Sequence, residues 1–326
     1  MKLRRASIVF LTLYALLTLY PIISLLAGST PWYLLTAVTT LTGFTFALLH
    51  AGQREGWRRM AYLLALVFTV SLTFESVGVA TGLIYGPYHY TNKLGPLFLG
   101  LVPYLIPIAW FMMSYPSFVI ADGLIPTEWK HWQRILSVAA VGGLVMTAWD
   151  VVMDPIMVAS EHWVWDVQGA YHGIPLQNFW GWWLTVFTTF ALYLLVAGKA
   201  SRPAEARFDR LALVSYLVTA LGIVLLSLVT GAGELALIGF FVMIPWFISG
   251  WLRGRTEKQD VEKKRPKITG CSGHNPGRDR IGHIVWTTRC PCIDRPPMRR
   301  KAACLPGRWD RYHPPAAPHK QYHGRW

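Results

Sequence analysis

The sequence predicts an all-α, polytopic integral membrane protein with about eight transmembrane helices and both termini in the cytoplasm. Three observations predict this. Charged residues make up 15% of the chain against 53% hydrophobic, where a soluble domain carries about 25% charge. The apolar residues gather into eight runs near the ~20 residues that a helix needs to cross a bilayer. Lys and Arg fall between those runs in alternate links, the distribution that sets membrane orientation.

The first run, 7–27, follows Lys2, Arg4 and Arg5. A basic start before an apolar stretch is also how a signal peptide begins. This run is long for one and lacks a convincing cleavage site, so it reads as a span. The runs 32–50 and 60–81 flank a link with Arg54, Arg58 and Arg59. The fourth, 97–121, contains Pro103, Pro107 and Pro116. Spanning helices tolerate such breaks when neighbours or water satisfy the freed carbonyls, so a kinked helix is expected. The fifth, 135–153, is expected to stop at Pro155, because the residue before a proline is steered away from the helical region. The runs 179–197, 211–230 and 235–252 complete the set. Lys130 and Arg134 lie between the fourth and fifth runs, and Lys199, Arg202, Arg207 and Arg210 between the sixth and seventh. Arg253 and Arg255 follow the eighth, whereas the remaining links contain Lys93 and no other Lys or Arg. A multi-pass protein of the cell membrane, with an even number of spans, fits every link.

Composition also divides the chain. Residues 257–326 hold 16 Lys and Arg against 6 Asp and Glu, so the basic charge belongs mainly to this part. The expected organisation is a membrane domain over 1–256 and a basic, disordered tail over 257–326, rich in Pro and Gly. Since the charge sits outside the membrane domain, a nucleic-acid partner is excluded for the body of the protein. The lipid bilayer is the expected surroundings, and a basic tail can touch anionic lipid. All four cysteines, Cys271, Cys290, Cys292 and Cys304, lie in the tail. Their C-x-C pair does not match the usual zinc spacing, so no metal is expected.

Ionisable residues inside spans are costly and mark functional sites by default. Glu75 lies about two turns before the outer end of the third run. Asp150 and Asp154 stand four residues apart, which puts both carboxyls on one helix face. The two longer outer links carry Tyr85, Tyr88, His89, Trp163, Trp165, Tyr171, His172 and Asn178. Acids, imidazoles and aromatic rings thus gather at one membrane face, and no comparable cluster is expected at the cytoplasmic one. Each has a plainer reading. Boundary Tyr and Trp commonly anchor spans, and histidines in links are commonly solvated. Glu75 and Asp150 resist that treatment, because no Lys or Arg lies at their depth. A buried carboxyl without a cation must be neutral or otherwise stabilised, and neutral buried acids serve proton-transfer chemistry.

Several segments also carry a resemblance. Phe74-Glu75-Ser76-Val77-Gly78-Val79-Ala80-Thr81-Gly82 and Tyr85-Gly86-Pro87-Tyr88-His89-Tyr90-Thr91 are two of them. Leu94-Gly95-Pro96, Pro107-Ile108-Ala109-Trp110-Phe111-Met112-Met113, Ala148-Trp149-Asp150-Val151-Val152-Met153-Asp154-Pro155 and Gly173-Ile174-Pro175-Leu176-Gln177-Asn178-Phe179-Trp180-Gly181-Trp182 are the others. In order and spacing they resemble the membrane carotenoid 1,2-hydratases, a family that takes in γ-carotene 1′-hydratases and bisanhydrobacterioruberin hydratases. The likeness covers about 60–250 and leaves out the tail. It implies cofactor-independent addition of water to the terminal double bond of an acyclic carotenoid ψ-end, in the company of other membrane enzymes of carotenoid biosynthesis. Glu75 or Asp150 fits the general acid, Asp154 the group that handles water, and the aromatic rings a surface for a cation. Tyr85, Tyr88, His89, Trp163, Trp165, Tyr171 and Asn178 are the expected substrate-binding residues. Two other classes compete: an intramembrane prenyltransferase with Asp-rich metal binding, and a proton-coupled transporter.

Overall fold

The computed structural model describes residues 2–32, 34–197, 206–264, 277–278 and 284–285. Eight helices are long and apolar enough to cross a membrane. They are α1 (Lys2–Leu26), α2 (Leu35–Arg54), α3 (Trp57–Thr81), α4 (Leu105–Leu124), α5 (His131–Ala159), α6 (Leu176–Ala197), α7 (Ala206–Val229) and α8 (Gly233–Lys264). The all-α, polytopic fold class therefore stands. With an even number of helices, α1 begins and α8 finishes at the same end of the bundle, here the terminus end. The opposite end carries the two long links and is the cap end.

Two helices differ from expectation for a physical reason. The apolar stretch ahead of α4 is a small antiparallel hairpin, β2 (Leu97–Phe98) with β3 (Val102–Pro103), which follows the cap strand β1 (Tyr88–Tyr90). Leu99 and Gly100 both take positive φ, 50° and 71°, and the Leu101 amide closes the turn on the Phe98 carbonyl at 2.9 Å. Positive φ at both central residues is the tight hairpin geometry, and Pro103 disfavours a helix through Val102. Helix α4 accordingly starts at Leu105, with Pro107 in its first turn, where a missing N–H costs nothing.

Helix α5 does not stop at Pro155 but runs on to Ala159. A proline inside a helix frees the carbonyl four residues earlier, here that of Val151. The Tyr171 hydroxyl donates to that carbonyl at 2.9 Å. A link residue supplies the bond that the helix cannot, so Asp150 and Asp154 sit within a continuous helix rather than at its end.

Helix α4 lies at the centre, packed on α2, α3, α5, α7 and α8, and α5 packs most extensively on α6. Strands β1 and β4 (Trp163–Trp165) pair antiparallel, with Tyr88 opposite Trp165 and Tyr90 opposite Trp163. This ribbon roofs the cap end.

The terminus end holds an ionic cluster that the sequence did not reveal. Arg54, at the end of α2, pairs with Glu55, with Asp122 of α4 at 3.0 Å and with Asp209 of α7 at 3.3 Å. Arg59 of α3 adds a contact to Glu55 at 3.2 Å, and Arg134 of α5 one to Asp122 at 2.5 Å. Tyr193 of α6 donates to Glu55 at 3.1 Å. Beside the cluster, the fully buried His50 bridges the Tyr115 hydroxyl at 2.6 Å and the Phe208 carbonyl at 2.8 Å. Five helices meet here through charge paired with charge, and α6 joins them through the Tyr193 hydroxyl.

The chain divides into two compact units, Met1–Pro266 and Lys267–Trp326. Position 256, the expected domain boundary, lies inside α8. In the second unit the described residues are two short antiparallel strands, β5 (Gly277–Arg278) and β6 (Ile284–Val285). Of the tail expected to be disordered, 257–264 continue α8 and 277–278 and 284–285 form these strands, while the rest, with the four cysteines, falls outside the described residues.

Candidate active site

Glu75 is 3% exposed, Asp150 0% and Asp154 1%. All three lie at the cap end within the ring of α3, α4, α5 and α6. Three donors converge on Glu75. Tyr88 and Tyr90 both donate to Oε2, the latter at 2.9 Å, and the Trp110 indole donates to Oε1 at 2.9 Å. The other two acids share one amide. Asn178 Nδ2 donates to Asp150 Oδ2 at 2.9 Å and to Asp154 Oδ2 at 2.8 Å. Asp154 Oδ1 accepts from the Trp163 indole at 2.6 Å, while Asp150 Oδ1 is buried without a partner. Every donor to these three acids is neutral.

The roof follows from strand alternation. Side chains point alternately to the two faces of a strand, so Tyr88 and Tyr90 turn inward and His89 outward. On β4, Trp163 and Trp165 turn inward and Val164 outward. Four rings therefore cover the acids from above, with Tyr88 against Trp165 at 5.1 Å and Tyr90 edge-on to Trp163 at 5.9 Å. Burial first, and the nearby Glu75 second, push the Tyr88 and Tyr90 phenols well above their ordinary range. Both remain hydrogen-bond donors to Glu75. Tyr85 sits deeper, with its hydroxyl 2.8 Å from that of Thr185. Its ring is held between Gly78 of α3 and Gly181 of α6. A Cβ at either glycine would stand 2.6 Å from a ring carbon, so these two positions require the missing side chain.

Below the roof is a cavity of about 150 Å³, lined on its polar side by Glu75, Asp154 and Asn178. Its other walls are largely apolar and aromatic. Trp182 stacks on Trp110 at 4.1 Å and meets Trp149 edge-on at 5.7 Å. The expected site residues thus separate into groups. Glu75, Asp154, Tyr85, Tyr88, Trp163, Trp165 and Asn178 line the cavity. Asp150 stands behind Asn178 and does not. His89 faces outward, paired with Asp166 at 2.8 Å with both side chains about half exposed. Tyr171 is held on the Val151 carbonyl, and burial pushes its phenol up to about 12, which keeps it a donor. Neither His89 nor Tyr171 reaches the cavity. Tyr90, Trp110 and Trp182 reach it and were not among the expected site residues, although all three lie in the segments that carried the resemblance.

Fold and site together define a polytopic membrane protein with a buried, cation-free acid cluster opening on an apolar, aromatic cavity. The chain belongs to the carotenoid biosynthesis protein family, whose sequence pattern matches residues 33–245. It is also 33% identical over 129 residues to the bisanhydrobacterioruberin hydratase of Haloarcula japonica. That alignment covers 39% of this chain and 42% of the relative, less than half of either. No solved structure matches the chain.

Proposed function

We propose that the protein adds water to the terminal 1,2 double bond of an acyclic carotenoid ψ-end and yields a tertiary alcohol. The observation that carries this reading is that Glu75 and Asp154 face one apolar cavity beneath aromatic rings, with no cation paired with either among the described residues. The family match and the hydratase relative support it.

The chemistry divides between the two acids. Two carboxyls tied to one amide, with no cation to offset them, disfavour double ionisation. The Asp150–Asp154 pair therefore retains a proton, and Asp154, the member that faces the cavity, donates it to C2 of the alkene. The tertiary cation at C1 lies among the faces of Tyr88, Trp163, Trp165 and Trp182, whose quadrupoles attract positive charge. Water adds to C1 and gives up a proton to Glu75, whose three donors suit an ionised, acceptor-only carboxylate. One proton leaves Asp154 and one arrives at Glu75, so proton exchange with the surroundings restores the starting state. Asp150 acts through Asn178, as a positioning residue for Asp154. The step consumes water alone and transfers no electrons.

The reading also assigns the cap end to the outside of the cell membrane. Among the described residues, the basic side chains of the links gather at the terminus end, and the cap-end links contain Lys93, paired with Glu161 at 3.0 Å. A prenyltransferase needs cations to hold a diphosphate, and this face offers one occupied lysine. Labels at 91–93 or 166–170 should be reachable from outside intact cells, and labels at 54–58 should not. Hydration itself is tested with membranes supplied with an acyclic carotenoid in isotopically labelled water. The product should be heavier by one water and carry the label in its new hydroxyl. Label drawn instead from molecular oxygen identifies a hydroxylase and ends this reading.

A further inference from the structure

We infer that the carotenoid enters sideways from the bilayer, through the seam between the cap-end halves of α2 and α3, with Thr40 at its neck. This rests on the hydration reading and specifies how that same site takes a substrate. The first ground is size. A cavity of about 150 Å³ falls below the ~300–1,000 Å³ of pockets that enclose drug-sized ligands. It accepts the end of an isoprenoid chain, so the polyene body must lie outside the protein in a medium that dissolves it.

The second ground is which sides are closed. Above, the β1–β4 ribbon turns four rings onto the cavity. Toward the terminus end, Phe44 of α2 meets Phe68 of α3 at 6.3 Å and Phe111 of α4 at 5.5 Å, a continuous aromatic floor. Laterally, α3 on α6, α6 on α5 and α5 on α4 pack closely. Helix α2 packs extensively on α1 and α4 but lightly on α3. Yet α2 contributes Thr36 and Thr40 to the cavity wall. They stand one turn apart on a single face, directly cap-ward of the Phe44 floor. Their side chains are small, and the flanking surface is apolar and exposed, with Leu41 46% and Val77 38% accessible. A seam with small side chains on α2, flanked by apolar surface that faces lipid, is the way in that this packing offers a polyene from the acyl chains toward Glu75.

The test uses the full chain in lipid nanodiscs and two alkenes with the same terminal double bond, a full-length acyclic carotenoid and a short isoprenoid. Thr40→Trp should cut conversion of the carotenoid at least about tenfold more than conversion of the short alkene, the scale of lost positioning. Thr36→Trp, nearer the mouth, should do the same and guards against misfolding of the first variant. Leu221→Trp, on the lipid-exposed face of α7 away from the cavity, should alter neither. Carotenoid retained per folded protein, read by its visible absorbance, should fall in the two Thr variants alone. Equal losses for both alkenes place these residues in the reacting space and overturn the portal, as does full carotenoid conversion by both variants. If wild type converts neither alkene, the hydration reading fails. The portal is then judged by retention, and unchanged retention in both Thr variants overturns it.

Discussion

The protein gathers three acids at each end of its bundle, and the two sets are built on opposite rules. At the terminus end Glu55, Asp122 and Asp209 meet Arg54, Arg59 and Arg134. At the cap end Glu75, Asp150 and Asp154 meet tyrosine and indole donors and one amide. Burying a charge is costly unless it is paired, so the first arrangement satisfies the demands of the fold. Helices from across the bundle converge there, and removal of Arg54 takes away the cation that pairs with Asp209. The second leaves that electrostatic demand to neutral donors and sets two of its acids on an open cavity. A fold gains nothing from a carboxyl whose Oδ1 has no partner. The cation-free set is where proton transfer can occur, and the paired set holds the helices that position it.

Five substitutions can break that contrast. The largest effect belongs to Asp154→Asn and Glu75→Gln, which keep shape while removing the proton donor and the proton acceptor in turn. Conversion should fall by the ~10²–10⁴-fold that general acid–base catalysis contributes, at unchanged protein level; near-wild-type conversion by both ends the mechanism. Next is Arg54→Met, which takes one of two cations from Glu55 and from Asp122 and the pairing cation from Asp209. The cost should be about 3–5 kcal/mol, read as lost folded protein in a thermal or denaturant series, and a stable variant would show that the cluster is not structural. Tyr171→Phe strips the donor from the carbonyl freed by Pro155. One buried acceptor left unsatisfied costs about 1–3 kcal/mol, so a lowered unfolding temperature is expected, with an intact cavity. The smallest is Tyr90→Phe, which keeps the ring and deletes one of three donors to Glu75. Loss of one hydrogen bond to a charged group, about 1.5 kcal/mol, corresponds to a rate lower by about tenfold. An unaffected rate would mean that Tyr90 serves the roof alone.

The contrast between the two ends was only half legible in the sequence. The spans were readable because crossing a bilayer demands length and apolarity together, and Glu75, Asp150 and Asp154 stood out as acids inside such runs. The i, i+4 spacing placed the two aspartates on one face, and the structure ties both to Asn178. The terminus-end cluster was hidden for the converse reason. Arg54, Asp122, Arg134 and Asp209 each sit near the end of a different helix, where a charge reads as an ordinary interfacial residue until the packing brings them together. His89 was grouped with its aromatic neighbours because a three-residue strand is too short to announce its alternation, and that alternation turns it outward. Pro155 read as a stop because the donor that rescues the helix, Tyr171, arrives from a link that no local pattern connects to Val151. The hairpin before α4 was obscured by the apolarity of Leu97, Phe98, Leu99 and Leu101, which matches a span in composition but not in its glycine and prolines.

The central claim is that the cation-free acids carry the chemistry and the paired ones carry the fold. It is tested most directly by turnover per folded molecule, measured on acyclic carotenoid for Glu75→Gln and for Asp209→Asn side by side. The account predicts that Glu75→Gln folds as wild type and loses about 10²-fold or more in turnover. It predicts that Asp209→Asn yields less folded protein, each molecule of which turns over at the wild-type rate. A Glu75→Gln protein with normal turnover, or an Asp209→Asn protein that folds fully and is inactive, would contradict it.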